Sequence, residues 1–347
     1  MRVAVVGATG AVGRELRRLL EARAFPCDDV VFLASERSAG STLPFGGADV
    51  TVRALADEDA FKGVDIALFS AGAGRSREHA PRAVEAGAVV VDNSSAFRMD
   101  PDVPLVVTEV NADALELLRT GGRGIVANPN CTTMTAMLPL KALHDAFGLV
   151  GFTATSLQAA GGAGQKGMDE LLEQIEPLAA EPDLLRSDGA TAKGLVDKPM
   201  VHADVLAFNV VPLLGPLDEH GYTDEEMKLR NESRKILALP ELLVAPTCTR
   251  VPVMVGHCIS IRALFQDRVR SVAEAIASMD NFPGIVVEQA PTPLAYAGRD
   301  EVAVGRVRLD LADDHALDFF VVGDNLLKGA ALNTVQIAEE LVARELT

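Results

Sequence analysis

The segment Asn128-Pro129-Asn130-Cys131-Thr132-Thr133 places a thiol between a short apolar run, residues 124–127, and an apolar stretch of helical character, residues 133–143. A cysteine at a helix start meets the positive end of the helix dipole and uncapped N–H groups, which favour a thiolate. The same donors can stabilise an oxyanion on a carbon attached to the sulfur. A small, buried, inert cysteine would fit the position equally well. A second chemistry is carried by Gly7-Ala8-Thr9-Gly10-Ala11-Val12-Gly13. Small residues between a strand and a helix let a pyrophosphate approach the backbone and use the first N–H donors of the helix. The spacing is G-x-x-G-x-x-G, a loose form of the dinucleotide fingerprint, and the strand–turn–helix context strengthens it; an unliganded turn is the alternative. At the end of the second expected strand, Ser35-Glu36-Arg37-Ser38 stands where an acidic residue would bind the ribose of NAD. Two serines and an arginine suit a 2′-phosphate, which Arg37 can grip bidentately. NADP is therefore the expected cofactor, with Glu36 turned outward.

These residues need elements to hold them. Residues 2–6, 30–34, 64–69 and 88–91 are short apolar runs, and helical spacing appears at 13–20 and 75–85. Continuous apolar strands separated by helices predict a parallel sheet covered on both faces, a doubly wound (Rossmann-type) α/β domain. After about residue 129 the rhythm changes. Residues 151–160, 250–265, 301–311 and 315–322 read as strands, 166–178 and 223–237 as helices, the latter opened by the capping box Thr223 and Glu226. Hairpin order predicts an α+β domain with a largely antiparallel sheet. A last helix, 325–343, can pack back on the first domain. The expected division is a dinucleotide-binding domain at 1–130, completed by 325–347, and a second, α+β domain at 131–324. Arg250 and His257, seven apart, would face opposite ways in one regular strand. If they share a pocket, the backbone between them must be interrupted, and Pro252 and Gly256 are suited to that.

Composition narrows the function. The 347 residues carry 49 acidic against 32 basic side chains, a formal charge of −17, so repulsion from phosphate argues against a nucleic-acid partner. No apolar run approaches the roughly 18 residues needed to span a bilayer, and no signal peptide is expected. The four cysteines lack metal-ligand or C-x-x-C spacing. No metal is expected, and a cytoplasmic, reducing location is.

The motifs in order are residues 7–13, 34–38, Asn93-Ser94-Ser95-Ala96-Phe97-Arg98, 128–133, Gln158 with Gly161-Gly162-Ala163-Gly164, and Arg250-Val251-Pro252-Val253 followed by Gly256-His257. In this arrangement the chain closely resembles the aspartate-β-semialdehyde dehydrogenases from its first strand to its last helix. It departs from their pattern at Gly161, where serine is common, and at Thr108, often proline. The resemblance implies NADPH-dependent reduction of L-aspartyl-4-phosphate to aspartate semialdehyde and phosphate through a cysteine thioester, on the route to lysine, threonine, methionine and diaminopimelate. It implies Cys131 as nucleophile and His257 as general acid/base. Gln158 would orient the acyl group, Arg250 bind the substrate carboxylate and Glu225 lie near its amine. Arg98 and Lys228 would hold phosphate. Gly7, Thr9, Gly10, Ala11, Val12, Gly13, Ser35, Arg37, Ser38, Gly161, Gly162 and Asn325 would meet the cofactor. The domain at 131–324 would be the catalytic and dimerisation domain, in a homodimer or tetramer.

Taken singly, several of these residues have plainer readings. His257 lies in a strand-like run and can simply be packed. Arg98 alone reads as a surface arginine. Glu225 and Lys228, three apart on one helix, read as an exposed ion pair worth a few tenths of a kcal/mol, roughly. Asn325 can cap the last helix. The rival functions are another phosphorylating reductase such as N-acetyl-glutamyl-phosphate reductase, glyceraldehyde-3-phosphate dehydrogenase, and a non-catalytic dinucleotide-binding regulator. The first has a different cysteine motif and the second an acidic strand end. The third should have lost Cys131, His257 or Arg250.

Overall fold

Strands with no polar position must be covered on both faces, and the first half of the chain supplies several. The computed structural model describes residues 1–347 and resolves them into two units, Met1–Asn130 with Arg234–Pro240 and Leu326–Thr347, and Cys131–Ser233 with Glu241–Asn325. In the first unit, β1 (Arg2–Val6) and β2 (Asp29–Ala34) are followed by a small hairpin, β3 (Thr42–Phe45) and β4 (Ala48–Thr51). Then come β5 (Arg53–Ala54), β6 (Ile66–Phe69), β7 (Val89–Asp92) and β8 (Ile125–Ala127). The main sheet has the order β5-β2-β1-β6-β7-β8 and is parallel throughout. The order reverses beside β1, and the crevice at such a switch point is where α/β sheets bind ligands.

Val3, Val5, Phe32, Ile66, Leu68, Val91 and Val126 enter one core with Leu16 and Leu20 of the helix Ala11–Ala22. The C-terminal residues Leu327, Leu332, Val335, Ile337 and Leu341 fill the same core. The expected single helix over 325–343 is instead a π-helical turn, Leu327–Ala331, leading into the helix Leu332–Ala343. Asn325 lies outside it, so the capping reading does not hold. Arg234–Pro240 clusters with this unit because the Lys235 ammonium donates to the carbonyls of Arg98, Asp100 and Val103 at 2.7–2.8 Å. The β3–β4 hairpin was not among the expected elements. Gly46 and Gly47, with φ of 60° and 81°, form its tight turn, and Phe45 packs edge-on against Phe32.

The second unit is built on β9 (Leu149–Gln158), β10 (Leu243–Arg250), β11 (His257–Phe265), β12 (Ile285–Val287), β13 (Val302–Leu309) and β14 (Ala316–Gly323). The order is β10-β9-β11-β14-β13-β12. Three of the five pairings are antiparallel, as expected, and the sheet is mixed because β9 with β10 and β12 with β13 run parallel. One face carries the helices Cys131–Phe147 and Val272–Asp280. The other is more open, with Val150, Thr153 and Thr155 of β9 exposed. The expected strand over 250–265 is two strands on opposite sides of β9. Arg250 pairs with Gln158, and Cys258 pairs with Leu157. Residues 251–256 therefore cross the end of β9, with Val251 N–H donating to the Gln158 carbonyl at 3.0 Å. The interruption expected between Arg250 and His257 is this crossing. Gly256 makes it possible, since its φ is 102° and a Cβ there would lie 2.7 Å from Pro293 Cβ. The capping box also forms: Thr223 N–H donates to Glu226 Oε2 at 2.7 Å, and Glu226 N–H to Thr223 Oγ1 at 3.3 Å.

Candidate active site

In the first unit the glycine-rich turn is tied to β2, the Gly7 N–H donating to the Leu33 carbonyl at 2.8 Å. Gly7 has φ of 86°, and a Cβ on it would come within 2.3 Å of the Ser70 carbonyl oxygen. A Cβ on Gly13 would come within 2.1 Å of the Gly7 carbonyl oxygen. Both glycines thus serve the turn itself, and Thr9 and Gly10 form its exposed tip. No side chain caps the helix that follows and no acid occupies its first turn. Its N–H donors are therefore suited to an anion.

Beyond β2, a cavity of about 280 Å³ is lined by Ser35, Glu36, Arg37, Arg75 and His79 among others. Ser35 and Arg37 stand where the sequence placed them. Ser38 belongs to the turn, its N–H donating to the Ser35 carbonyl, and is not among the lining residues. Glu36 is exposed yet still borders the cavity. Arg75 and His79 were missed, although their spacing of four on an expected helix puts them on one face. Burial lowers the His79 pKa. Its Nδ1 accepts from Arg82 at 2.8 Å, which leaves the ring proton on Nε2. Arg98 is not a surface residue: it is buried, with Nε donating to the Asn128 carbonyl at 2.9 Å and Nη2 to the Asn93 carbonyl at 3.0 Å.

In the second unit Cys131 is the first residue of its helix. Its Sγ lies 3.2 Å from His257 Nε2. His257 is fully buried, and burial first, then the charge of Arg250, holds its pKa well below the ordinary imidazole value. Its Nδ1 accepts the Ala159 N–H at 3.1 Å. A neutral ring accepting at Nδ1 carries its proton on Nε2, facing the sulfur. Arg250 donates from Nη1 to the Ala159 carbonyl at 2.8 Å. Both side chains press on Gly162, where a Cβ would lie 2.6 Å from Arg250 Nη1 and 3.1 Å from His257 Cε1. The crossing of residues 251–256 thus brings Arg250 and His257 to one place.

Arg250 also borders a cavity of about 420 Å³ with Glu225, Lys228, Asp224 and His202. Lys228 Nζ lies 2.6 Å from Asp224 Oδ2 and 3.4 Å from Glu225 Oε2, so the ion pair exists, but it lines a cavity instead of plain solvent. His202 was not anticipated, since a lone histidine in a loop carries no sequence signal. Gln158 is buried, donates to Ser156 Oγ at 3.2 Å and does not line this cavity. Gly161 N–H donates to the Met254 carbonyl at 2.9 Å. Asn325 Oδ1 accepts the Gly256 N–H at 2.9 Å, while its buried Nδ2 has no partner. A buried amide donor held by its oxygen and left open at nitrogen fits a polar ligand group such as a carboxamide.

Residues 2–118 match the semialdehyde dehydrogenase NAD-binding domain, and residues 140–328 the semialdehyde dehydrogenase dimerisation domain. The chain is 50% identical over 347 residues to the aspartate-semialdehyde dehydrogenase of Mycolicibacterium smegmatis, with 99% of each chain covered. The chain belongs to the aspartate-semialdehyde dehydrogenase family. The family member of Aquifex aeolicus is 43% identical, with 98% of each chain covered. Aspartate semialdehyde dehydrogenase II of Vibrio cholerae, solved in complex with ASA, superposes with a TM-score of 0.90 at 40% identity, covering 99% of this chain and 98% of that one. The Candida albicans family member solved with NADP gives 0.75 at 26% identity, over 100% and 99%.

Proposed function

We propose that this chain reduces L-aspartyl-4-phosphate to L-aspartate-4-semialdehyde and phosphate with NADPH, through a thioester on Cys131. The observation that carries the reading is the 3.2 Å approach of Cys131 Sγ and His257 Nε2 in a chain of this family. The helix start and the Nε2–H donor both favour sulfur as thiolate. The thiolate attacks the acyl carbon, the carbon–oxygen bond to phosphate breaks, and phosphate leaves; an acyl phosphate is activated enough for this. NADPH held by residues 7–13 would supply the hydride that the Cys131 thioester accepts. The resulting oxyanion expels the sulfur, giving the aldehyde and restoring the thiolate. His257 is the acid/base residue in this scheme. With Nδ1 engaged by Ala159, it acts from Nε2 as a donor to sulfur and to the developing oxyanion.

Arg250 is assigned to the substrate carboxylate, Glu225 to its amine and Gln158 to the acyl group. Arg98 and Lys228 are assigned to phosphate. Residues 7–13 would hold the pyrophosphate, Gly161 and Gly162 would offer backbone contacts, and the open Asn325 Nδ2 would meet the nicotinamide amide. Arg37, with Arg75 beside the same cavity, would select the 2′-phosphate. The pathway assignment to lysine, threonine, methionine and diaminopimelate follows from the product. A homodimer is proposed through the second unit, whose matched description is a dimerisation domain and whose exposed apolar residues include Phe208, Val210, Leu213 and Leu243. No helix is long and apolar enough to cross a membrane, none of the cysteines is disulfide-bonded, and a cytoplasmic location is proposed.

The test is NADP reduction with aspartate semialdehyde and phosphate, in the wild type and in Cys131→Ala. Phosphate-dependent turnover that falls below a few per cent in the variant, with NADP binding retained, is expected. Substantial turnover by Cys131→Ala, or none by the wild type, would overturn the proposal.

A further inference from the structure

Lys328 is 2% exposed, one of the most deeply buried charges in the chain. Its ammonium donates to Glu109 Oε2 at 2.6 Å, Gln336 Oε1 at 2.7 Å and Asn333 Oδ1 at 3.2 Å. Gln336 closes the group by donating to Glu109 Oε1 at 3.0 Å. Burying an ion pair costs several kcal/mol per charge before any attraction is counted, roughly. A fully hydrogen-bonded pair in such a place is therefore worth asking a function of. The mechanism above uses none of these four residues.

The group has a directed exit. Asn333 is fully buried, and its Oδ1 accepts from Lys328 Nζ at 3.2 Å and from the Thr108 N–H at 3.3 Å, while the Thr108 hydroxyl, 3.4 Å away, also reaches Glu109 Oε2 at 3.0 Å. A lysine ammonium and a backbone N–H cannot accept, so the amide has one orientation. Asn333 Nδ2 consequently donates away from the ion pair, to the Val106 carbonyl at 2.9 Å and to Asn128 Oδ1 at 2.6 Å. That bond orients Asn128, whose Nδ2 donates to Asn93 Oδ1 at 2.7 Å. Asn93 and Asn128 are also residues whose backbone carbonyls accept from the Arg98 guanidinium. The chain of donors thus begins at a buried charge pair and ends on the side chains of Asn128 and Asn93, the residues whose backbone carbonyls accept from Arg98. Thr108 belongs to it specifically, because a proline at 108 would supply neither the N–H nor the hydroxyl.

We propose that Asn333 is a positioning residue for Arg98, acting through Asn128, with the Lys328–Glu109 pair holding its amide. The consequence for catalysis rests on the reading of Arg98 as a phosphate ligand. Holding Nε and Nη2 on backbone carbonyls fixes the plane of the guanidinium, and that plane matters for bidentate recognition of phosphate.

The test uses Asn333→Leu, which keeps the size and removes the amide. A second variant, Asn333→Asp, keeps Oδ1 for Lys328 but turns an oxygen against Asn128 Oδ1. A double variant, Glu109→Gln with Lys328→Met, removes the charges together. The first readout is independent of activity. In protein labelled with 15N-arginine, the Arg98 Nε–H resonance, assigned with Arg98→Lys, should be protected from exchange in the wild type. Its protection should fall at least tenfold in both Asn333 variants and less in the double variant. The second readout is kinetic. The apparent constant for phosphate should rise about tenfold while that for NADP changes less than twofold. Unchanged Nε–H protection in the Asn333 variants would overturn the proposal, as would phosphate and NADP constants that rise together in step with a fall in Tm. If Arg98→Lys itself leaves the phosphate constant unchanged, the phosphate assignment fails, and the Nε–H measurement still decides whether Asn333 positions Arg98.

Discussion

Gly162→Ala is a small change whose cost can be worked out from distances. The backbone there is not in the left-handed region, so alanine is conformationally permitted, and the penalty falls on two neighbours. The new Cβ would sit 2.6 Å from Arg250 Nη1, 3.1 Å from His257 Cε1 and 3.2 Å from His257 Nε2. Ordinary contact begins near 3.4 Å, so Nη1 must retreat by about 0.8 Å and the imidazole by about 0.2–0.3 Å. Arg250 Nη1 now donates to the Ala159 carbonyl at 2.8 Å, and a retreat of that size directed away from the carbonyl would stretch the bond past hydrogen-bond reach. A hydrogen bond from a charged group contributes about 1.5–3 kcal/mol, which corresponds to a loss of roughly 10- to 150-fold if it is felt fully in the transition state. The assay is steady-state kinetics with aspartate semialdehyde, phosphate and NADP. The loss should be in KM for the aldehyde if Arg250 moves, and in kcat if His257 moves, with Tm within a few degrees of wild type. A kcat/KM within twofold of wild type would show that neither side chain is committed to its present place, and the assignment of Arg250 to the carboxylate would go with it.

His257→Asn should lower kcat by about two to four orders of magnitude, the usual range for loss of an acid/base group; an unchanged rate would show that another group carries the proton. Because burial and Arg250 hold the His257 pKa well below its ordinary value, kcat/KM should show no acid limb near pH 6.5, where an exposed imidazole would titrate. A limb there that vanishes in His257→Asn would refute the neutral ring. Arg37→Ala and Arg75→Ala should each raise the apparent constant for NADP far more than that for NAD; equal effects on the two would place the 2′-phosphate elsewhere. Glu109 is drawn below its ordinary pKa because, against the opposing effect of burial, Lys328 and its hydrogen bonds win. Its stabilisation is therefore present above the ordinary carboxylate range and lost as pH falls through the lowered folded value. Glu109→Gln should flatten that part of an acid denaturation curve, and a parallel curve would show that other carboxylates dominate.

The first unit was legible in β1, β2, β6 and β7 because these strands are apolar at nearly every position and glycines punctuate the turns, signals that depend only on neighbours along the chain; the polar β3–β4 hairpin and β5 lack that signal. The second was legible in its larger helices and in β9, β13 and β14, but not in β10, in β12 or in where β11 begins. Residues 243–249 alternate weakly, and nothing local says that Arg250 ends one strand and His257 begins another on the far side of β9. The need for an interruption was nevertheless visible, because a spacing of seven is odd and strands alternate. Arg98 and Asn325 were ambiguous for a related reason. A buried arginine held by two backbone carbonyls, and an asparagine held by a glycine 69 residues away, depend on partners that periodicity does not name. Arg75 and His79 were readable, being four apart on an expected helix, but only once the cavity beside β2 gave that helix face something to meet.

The core of the first unit contains Leu327, Leu332, Val335, Ile337 and Leu341, which sets an order on biosynthesis. The last strand of the parallel sheet, β8, ends at Ala127, while Leu341 is more than two hundred residues further on. At about 5–20 residues per second, the ribosome leaves that sheet without part of its cover for roughly 10–40 s. The second unit, complete at Asn325, has every residue it needs before the first unit does, although the first unit emerges first. The nucleotide-binding half is thus the last part of the nascent chain able to close, and its uncovered apolar strands are where a chaperone would be expected to dwell. A frameshift or nonsense change anywhere after Asn325 should leave a folded second unit attached to an aggregation-prone first one.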